Sequence, residues 1–279
     1  VADKPLAVVT GASRGLGRYA AIALARAGAQ LLLVARDAAA LAQVAGEIGG
    51  AAVLSLDIAT ADAPARIAAE AARLGGADVL INNAAIQGPI GLMTEVDWDA
   101  LEHTFRVDFL APMALSRALA PQMIAKGAGW IVNISGGGAT GPRPMFVAYG
   151  AAKTALVRAS ETLAAELAPL GIRVNAIAPG AFRSGMTLET LAAGGAAGAK
   201  EESVAKNLVD KDDDQAARRA AALIAYLAAG AGRDVSGRLI SAVWDPWETL
   251  HERAEDLLGS DIYTLRRITP GDRGKDWGG

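Results

Sequence analysis

Leu6-Ala7-Val8-Val9-Thr10-Gly11-Ala12-Ser13-Arg14-Gly15-Leu16-Gly17 is the stretch that decides the fold class. Four consecutive apolar residues suit a short strand buried on both faces, the habit of a parallel sheet. The run meets a turn with three glycines, and residues 18–27 then have an Ala-rich, helical character. Glycines in such a turn let the backbone bend sharply and approach a diphosphate, which the N-terminus of the next helix attracts. A glycine-rich turn alone is weak evidence, because any strand-to-helix turn can carry one. Its flanks strengthen it: a strand before, a helix after, and a second apolar strand at 30–35.

That second strand closes on Ala35-Arg36-Asp37. A domain that binds NAD needs a carboxylate at this strand end for the ribose 2′-hydroxyl. Here the end position falls on Ala35, followed by Arg36, with Arg14 in the glycine turn. Two guanidiniums suit a 2′-phosphate, which arginine can hold bidentately, so NADP(H) is favoured over NAD(H). Asp37 keeps a second reading open, because a register shifted by one or two residues would make it the ribose carboxylate. A third reading makes Arg36 and Asp37 a solvated cap on the following helix.

Further along, apolar runs at 53–58, 78–81, 129–135, 172–178 and 238–244 read as five more strands. Helical stretches lie at 61–74, 98–125, 149–168, 216–229 and 248–258, the second of them interrupted near Pro112 and Pro121. Asp57, near the end of the third strand, can meet an adenine or cap the next helix. The fourth strand ends in Asn82-Asn83-Ala84-Ala85, and asparagines there either satisfy loop backbone or line a cofactor crevice. Residues 183–214 are rich in glycine, alanine and charge, including Asp212-Asp213-Asp214. This least core-like part reads as a substrate lid, or else as an insertion without function. Residues 245–279 form a C-terminal extension with Trp247 and Trp277.

Tyr149-Gly150-Ala151-Ala152-Lys153 carries the chemistry. Four residues apart on a helix, the phenol and the ammonium share one face. A free phenol titrates near pH 10, and a nearby ammonium favours the phenolate, bringing it toward the range of a general acid–base. Alone the pair is common by chance; in front of a dinucleotide site it becomes informative.

The totals bound the rest. At 279 residues and 52% hydrophobic, the chain can bury one large core, consistent with a single domain over 1–279. A net charge of −3 with no basic block excludes a nucleic-acid footprint. No cysteine and two histidines, His103 and His251, leave no metal site to expect. Apolar runs are too short for a membrane span, and the N-terminus runs straight into a strand without a signal peptide. The expectation is a soluble, cytoplasmic protein.

With these segments assembled, the chain resembles the short-chain dehydrogenase/reductase family, in its short single-domain branch. The resemblance covers about residues 6–244. It rests on Thr10-Gly11-x-x-x-Gly15-x-Gly17, Asn82-Asn83-Ala84, Tyr149-x-x-x-Lys153 and Pro179-Gly180, in order and at family-like separations. It implies an α/β doubly wound Rossmann fold with seven parallel strands, and NAD(P)-linked oxidoreduction of a small carbonyl or alcohol substrate. It also implies a homodimer or homotetramer.

Carried over residue by residue, Tyr149 is the acid–base for the substrate oxygen. Lys153 lowers its pKa and holds the nicotinamide ribose. Cofactor contacts fall on Gly11, Ser13, Arg14, Gly15, Leu16, Gly17, Arg36, Asp57, Ile58, Asn82 and Ala84. Tyr149, Lys153, Pro179, Gly180, Phe182 and Ser184 complete them, with Ser184 standing for a family threonine near the carboxamide.

Two family positions depart. The catalytic serine maps to Gly136, so the candidate donors are Ser135, one residue early, and Thr140 on the glycine loop. Ser135 can substitute only if the strand ends or bulges there. The family's water-holding asparagine maps to Asp108, whose charge opposes what Lys153 does to Tyr149. Loss of one preorganised donor typically costs roughly two to three orders of magnitude in rate. The departures therefore sustain a rival reading, a cofactor-binding protein with little catalysis that acts as a redox sensor or assembly partner. The C-terminal extension motivates a third, a structural role in a hetero-oligomer.

Overall fold

The computed structural model describes residues 4–211 and 214–277. Among these, seven strands form one parallel sheet. They are β1 (Leu6–Thr10), β2 (Gln30–Ala35), β3 (Ala52–Ser55), β4 (Val79–Asn82), β5 (Gly129–Ile134), β6 (Ile172–Ala178) and β7 (Leu239–Ser241), in the order β3-β2-β1-β4-β5-β6-β7. The order reverses between β1 and β4, and the crevice at that switch point is where α/β sheets bind ligands.

Alternation along β1 shows why the sheet is covered on both sides. Ala7 and Val9 enter one apolar cluster, with α1 (Gly15–Arg26), α2 (Ala38–Glu47) and α9 (Gln215–Ala229). Leu6 and Val8 enter the other, with α3 (Ala63–Arg73) and α5 (Ala111–Lys126). A strand with no polar face is stable only in this arrangement.

Several expected boundaries move, each for a local reason. The third strand was expected to run to Ile58 and stops at Ser55; Asp57 turns the chain, its Oδ1 accepting the Ala59 N–H at 2.9 Å. The seventh stops at Ser241, whose Oγ accepts the N–H groups of Val243 and Trp244 and whose N–H donates to Asp245 Oδ2 at 2.6 Å. The long helix from Trp98 is interrupted near Pro112, as expected. A π-helical turn over Arg106–Leu110 joins α4 (Trp98–Phe105) to α5, the Ala111 N–H bonding Arg106 O. Pro121 lies inside α5 without ending it.

The stretch from 183 is ordered by helices: α7 (Gly185–Ala193), a 3-10 turn at Gly194–Ala197, and α8 (Ala199–Lys211). Asp212 and Asp213 lie outside the described residues, and Asp214 accepts a hydrogen bond from Tyr19 on α1. The expected helix at 248–258 is a run of 3-10 turns, Trp247–Arg253, with one α-turn, α10 (Ala254–Leu257).

The extension has a structural anchor. Leu239 of β7 donates its N–H to Tyr263 O at 2.8 Å, and the Arg238 guanidinium donates to carbonyls of Leu257, Ser260 and Ile262. Trp247 packs into the core with its indole N–H on Ala242 O at 3.1 Å. Trp244, at 84% exposure, and Trp277 stay at the surface.

Candidate active site

The C-terminal ends of the strands open into a cavity of about 1130 Å³. The glycine turn forms one wall. Gly11 has φ +63°, and a Cβ there would meet Ala84 Cα at 2.8 Å, so only glycine lets β1 turn against the β4 loop. Gly17 does a different job: its missing Cβ would lie 2.2 Å from Gly11 O, so it seats α1 on the turn and does not line the cavity. Gly11, Ser13, Arg14, Gly15 and Leu16 do line it, as do Arg36, Asp57, Ile58 and Ala84.

At the second strand end Asp37 both caps α2 and lines the cavity, so the cap and the ribose reading both stand. Its Oδ1 accepts the Ala40 N–H at 3.0 Å at the start of α2. Arg36 stands exposed beside it on the cavity wall, its guanidinium without a partner among the described residues. Asn82 departs from the expectation. It is buried behind the crevice, its Nδ2 donating to Asn133 Oδ1 at 2.8 Å, and Asn83 takes the wall position. The reason is strand alternation: Asn82 is the last residue of β4 and points into the layer under the sheet, while Asn83 turns back to Thr10 O at 2.9 Å. Pro179, Gly180, Phe182 and Ser184 line the opposite wall. Ser184 Oγ is already engaged, accepting the Thr187 N–H at 3.3 Å as the cap of α7.

Tyr149 and Lys153 lie in the first turns of α6 (Val147–Leu167), both buried and both on the cavity wall. The ammonium sits 5.6 Å from the phenol ring centroid and donates to Ile134 O at 3.1 Å. Burial pushes the Tyr149 phenol up from its ordinary value. Lys153 pulls it back, Asp108 adds to the rise, and Arg143 opposes it. Asp108 sits on the π-turn with its Oδ2 3.4 Å from Lys153 Nζ, the two side chains being 0% and 2% exposed. Its Oδ1 accepts the Ile86 N–H at 2.9 Å, while Oδ2 has no hydrogen-bond partner. Burial holds this carboxyl above the usual range, against the pull of Lys153. Asp108 does not itself line the cavity; it acts from behind Lys153.

Strand β5 does end at Ile134, which meets the condition for Ser135 to turn, yet the Ser135 N–H still bonds Ile177 O at 2.8 Å. Its Oγ is enclosed and has no partner. Gly136 is open in an unexpected sense: a Cβ there would lie 2.2 Å from the Tyr149 hydroxyl. The phenol occupies the room that a side chain at 136 would need.

Sequence reasoning missed Arg143, Glu201 and Gln87, all on the cavity wall. Arg143 donates through Nε and Nη2 to Glu201 Oε2 at 3.0 and 2.7 Å, tying the loop before α6 to α8. Gln87 donates to Thr190 Oγ1 of α7 at 2.6 Å. No local pattern marks such residues, because their partners are 58 and 103 positions away.

The residues present fit a dinucleotide. The cradle where added Cβ atoms would collide, Arg36, unpaired among the described residues, and the buried Ser135 Oγ without a hydrogen bond lie on one cleft at the switch point. No group of acidic or histidine side chains suited to a metal occurs among the described residues.

Comparison with known proteins places the chain among short chain dehydrogenases. The model of the short chain dehydrogenase family matches residues 5–193. Galactitol 2-dehydrogenase (L-tagatose-forming) of Cereibacter sphaeroides is 38% identical over 191 residues, 67% of this chain and 75% of that protein. Dehydrogenase/reductase SDR family member 4 of Homo sapiens is 34% identical over 184 residues; the match spans 64% of this chain and 66% of that relative's length. Among solved structures, a candidate NAD(P)-dependent gluconate 5-dehydrogenase from Beutenbergia cavernae, with NADP at low occupancy, superposes with a TM-score of 0.75. It is 31% identical, over 85% of this chain and 94% of that one.

Proposed function

The chain belongs to the short-chain dehydrogenase family, and on that footing we propose that it is an NADP(H)-preferring oxidoreductase of carbonyl and alcohol substrates. The observation that carries the reading is the buried Tyr149–Lys153 pair on the wall of the cavity whose far end is the glycine turn. A reduced nicotinamide, when bound, supplies the hydride that adds to the carbonyl carbon. Everything else falls to this chain. Tyr149 Oη gives its proton to the substrate oxygen in reduction and takes one in oxidation, and Lys153 favours its phenolate. Ser13, Gly15 and Leu16 offer backbone at the N-terminus of α1 to a diphosphate. Arg36 is placed to meet a 2′-phosphate, which supports NADP(H) over NAD(H), while the Arg14 guanidinium reaches toward Gly185 at the start of α7.

The names of similar proteins, galactitol 2-dehydrogenase and gluconate 5-dehydrogenase, support a polyhydroxylated substrate. A cavity wall carrying Gln87, His103, Thr140 and Glu189 suits many hydroxyl groups. We read residues 183–214 as the substrate lid, 245–279 as an extension of one domain, and the working protein as a cytoplasmic homo-oligomer.

The test is a panel of polyols and sugar carbonyls with NADPH and NADH, run on wild type and Tyr149→Phe. Turnover that favours NADPH and vanishes in the variant is the expected result. Tight cofactor binding with no turnover on the panel would overturn it and move the reading to a binding protein without catalysis.

A further inference from the structure

The active site separates its positive charges in an unusual way. Lys153 has a buried carboxylate 3.4 Å away, so part of its influence on the phenol is offset. Position 136 carries no side chain, and the Tyr149 hydroxyl fills that space. Ser135 lines the cavity, but its Oγ is turned inward with under 1 Å² of accessible surface. A substrate carbonyl beside Tyr149 therefore lacks its donor from strand β5.

Arg143 is placed to supply it. Its guanidinium carbon lies 3.7 Å from the Phe146 ring centroid and 5.9 Å from that of Tyr149. Gly138 makes the room: it has φ +95°, and a Cβ there would come within 3.0 Å of Gly150 Cα and 3.3 Å of Arg143 Cβ. Only Nε and Nη2 are used by Glu201, and both go to the same oxygen. Nη1 remains for a ligand in the cavity that Arg143, Tyr149 and Glu201 all line.

We propose that Arg143 is a further catalytic residue, whose Nη1 holds the substrate oxygen beside Tyr149 in place of the absent serine. The proposal rests on the oxidoreductase reading above. In reduction, hydride adds to the carbonyl carbon, the C=O π pair moves to oxygen, and the Tyr149 proton is transferred there. The guanidinium stabilises the charge that develops on that oxygen. Glu201 holds Arg143 in orientation and ties it to α8, so the donor is in place when the lid helix is. The charged groups around the phenol are Lys153 on α6, Asp108 on the π-turn with His103 beyond it on α4, Arg143 in the loop, and Glu201 on α8 with Glu189 on α7.

The test pairs kinetics with a titration that needs no substrate. Arg143→Gln should lower kcat by about 10²–10³-fold, and Arg143→Lys, which keeps a cationic donor, should fall between it and wild type. Cofactor affinity should stay within about threefold, because Arg143 lies at the substrate end. In parallel, the phenolate absorbance of wild type minus Tyr149→Phe reports Tyr149 alone. Arg143→Gln should move that titration to higher pH, and Arg143→Lys should restore it. A loss confined to KM, a kcat within threefold of wild type, or an equal loss in Thr140→Val alone would overturn the proposal. Should wild type turn over nothing on the panel, the oxidoreductase reading falls and the titration decides by itself: a shift supports Arg143 facing the phenol, and no shift overturns it.

Discussion

Replacing Gly136 by alanine should disable the site by geometry alone. The added methyl carbon would lie 2.2 Å from the Tyr149 hydroxyl and 2.9 Å from Cε1 and Cζ. Ordinary contact requires the phenol to retreat by about 1 Å. The ring is buried and its helix is packed, so the retreat tilts the side chain or shifts the first turn of α6. Misplacing a reacting group by about 1 Å can cost about 10²-fold in rate. Overpacking a buried site costs about 1–3 kcal/mol, a fall in Tm of a few degrees at this chain length. Gly136→Ala should therefore show kcat down about a hundredfold and a lower melting point, with cofactor binding intact. Gly136→Ser has the same Cβ and should lose nearly as much, so the ratio of the two variants isolates the hydroxyl. An alanine variant with wild-type kcat and melting point would refute the steric reasoning. A serine variant faster than wild type would show that the ring has somewhere to go.

Two further outcomes follow from the same geometry. Asp108→Asn removes the negative charge that favours the neutral phenol, so the rising limb of alcohol oxidation against pH should move to lower pH. Because the folded-state pKa of Asp108 is raised, its contribution to stability is full below the unfolded value, about 3.9, and falls as pH rises through the folded one. Chemical denaturation from pH 4 to 8 should thus show wild type losing ground to Asp108→Asn as pH rises; a constant difference would contradict the assignment. Arg36→Ala should weaken NADPH by about 10–100-fold, the worth of a charged hydrogen bond, and leave NADH within threefold. Equal losses for both cofactors, measured by fluorescence titration, would return the ribose end to Asp37.

The division between sequence and tertiary structure follows the range of the interactions. Apolar runs of four to seven residues alternating with helical stretches, and glycines where a turn meets a helix, are local signals. They were enough for the seven-stranded order of elements, the dinucleotide turn and the Tyr149–Lys153 face, because each depends on backbone preferences and burial within one segment. Strand ends were less legible. Asp57, Ser241 and Asp245 stop their strands through side-chain bonds to nearby backbone, a competition that apolar patterning does not register.

The chemistry around the pair was beyond local reading. That Asn82 turns inward and Asn83 outward depends on where β4 ends against Thr10. That Gly136 is filled by Tyr149 depends on how α6 docks on β5. Arg143 reaches Glu201 only because the segment after β6 folds back as two helices over the cleft. Sequence alone determined which kind of fold this is and which phenol and ammonium share one helix face at the cleft, since both are written in short-range pattern. Only the tertiary structure decided which charges surround that phenol, because electrostatic effects follow distance and burial in space, and residues far apart in the chain set both.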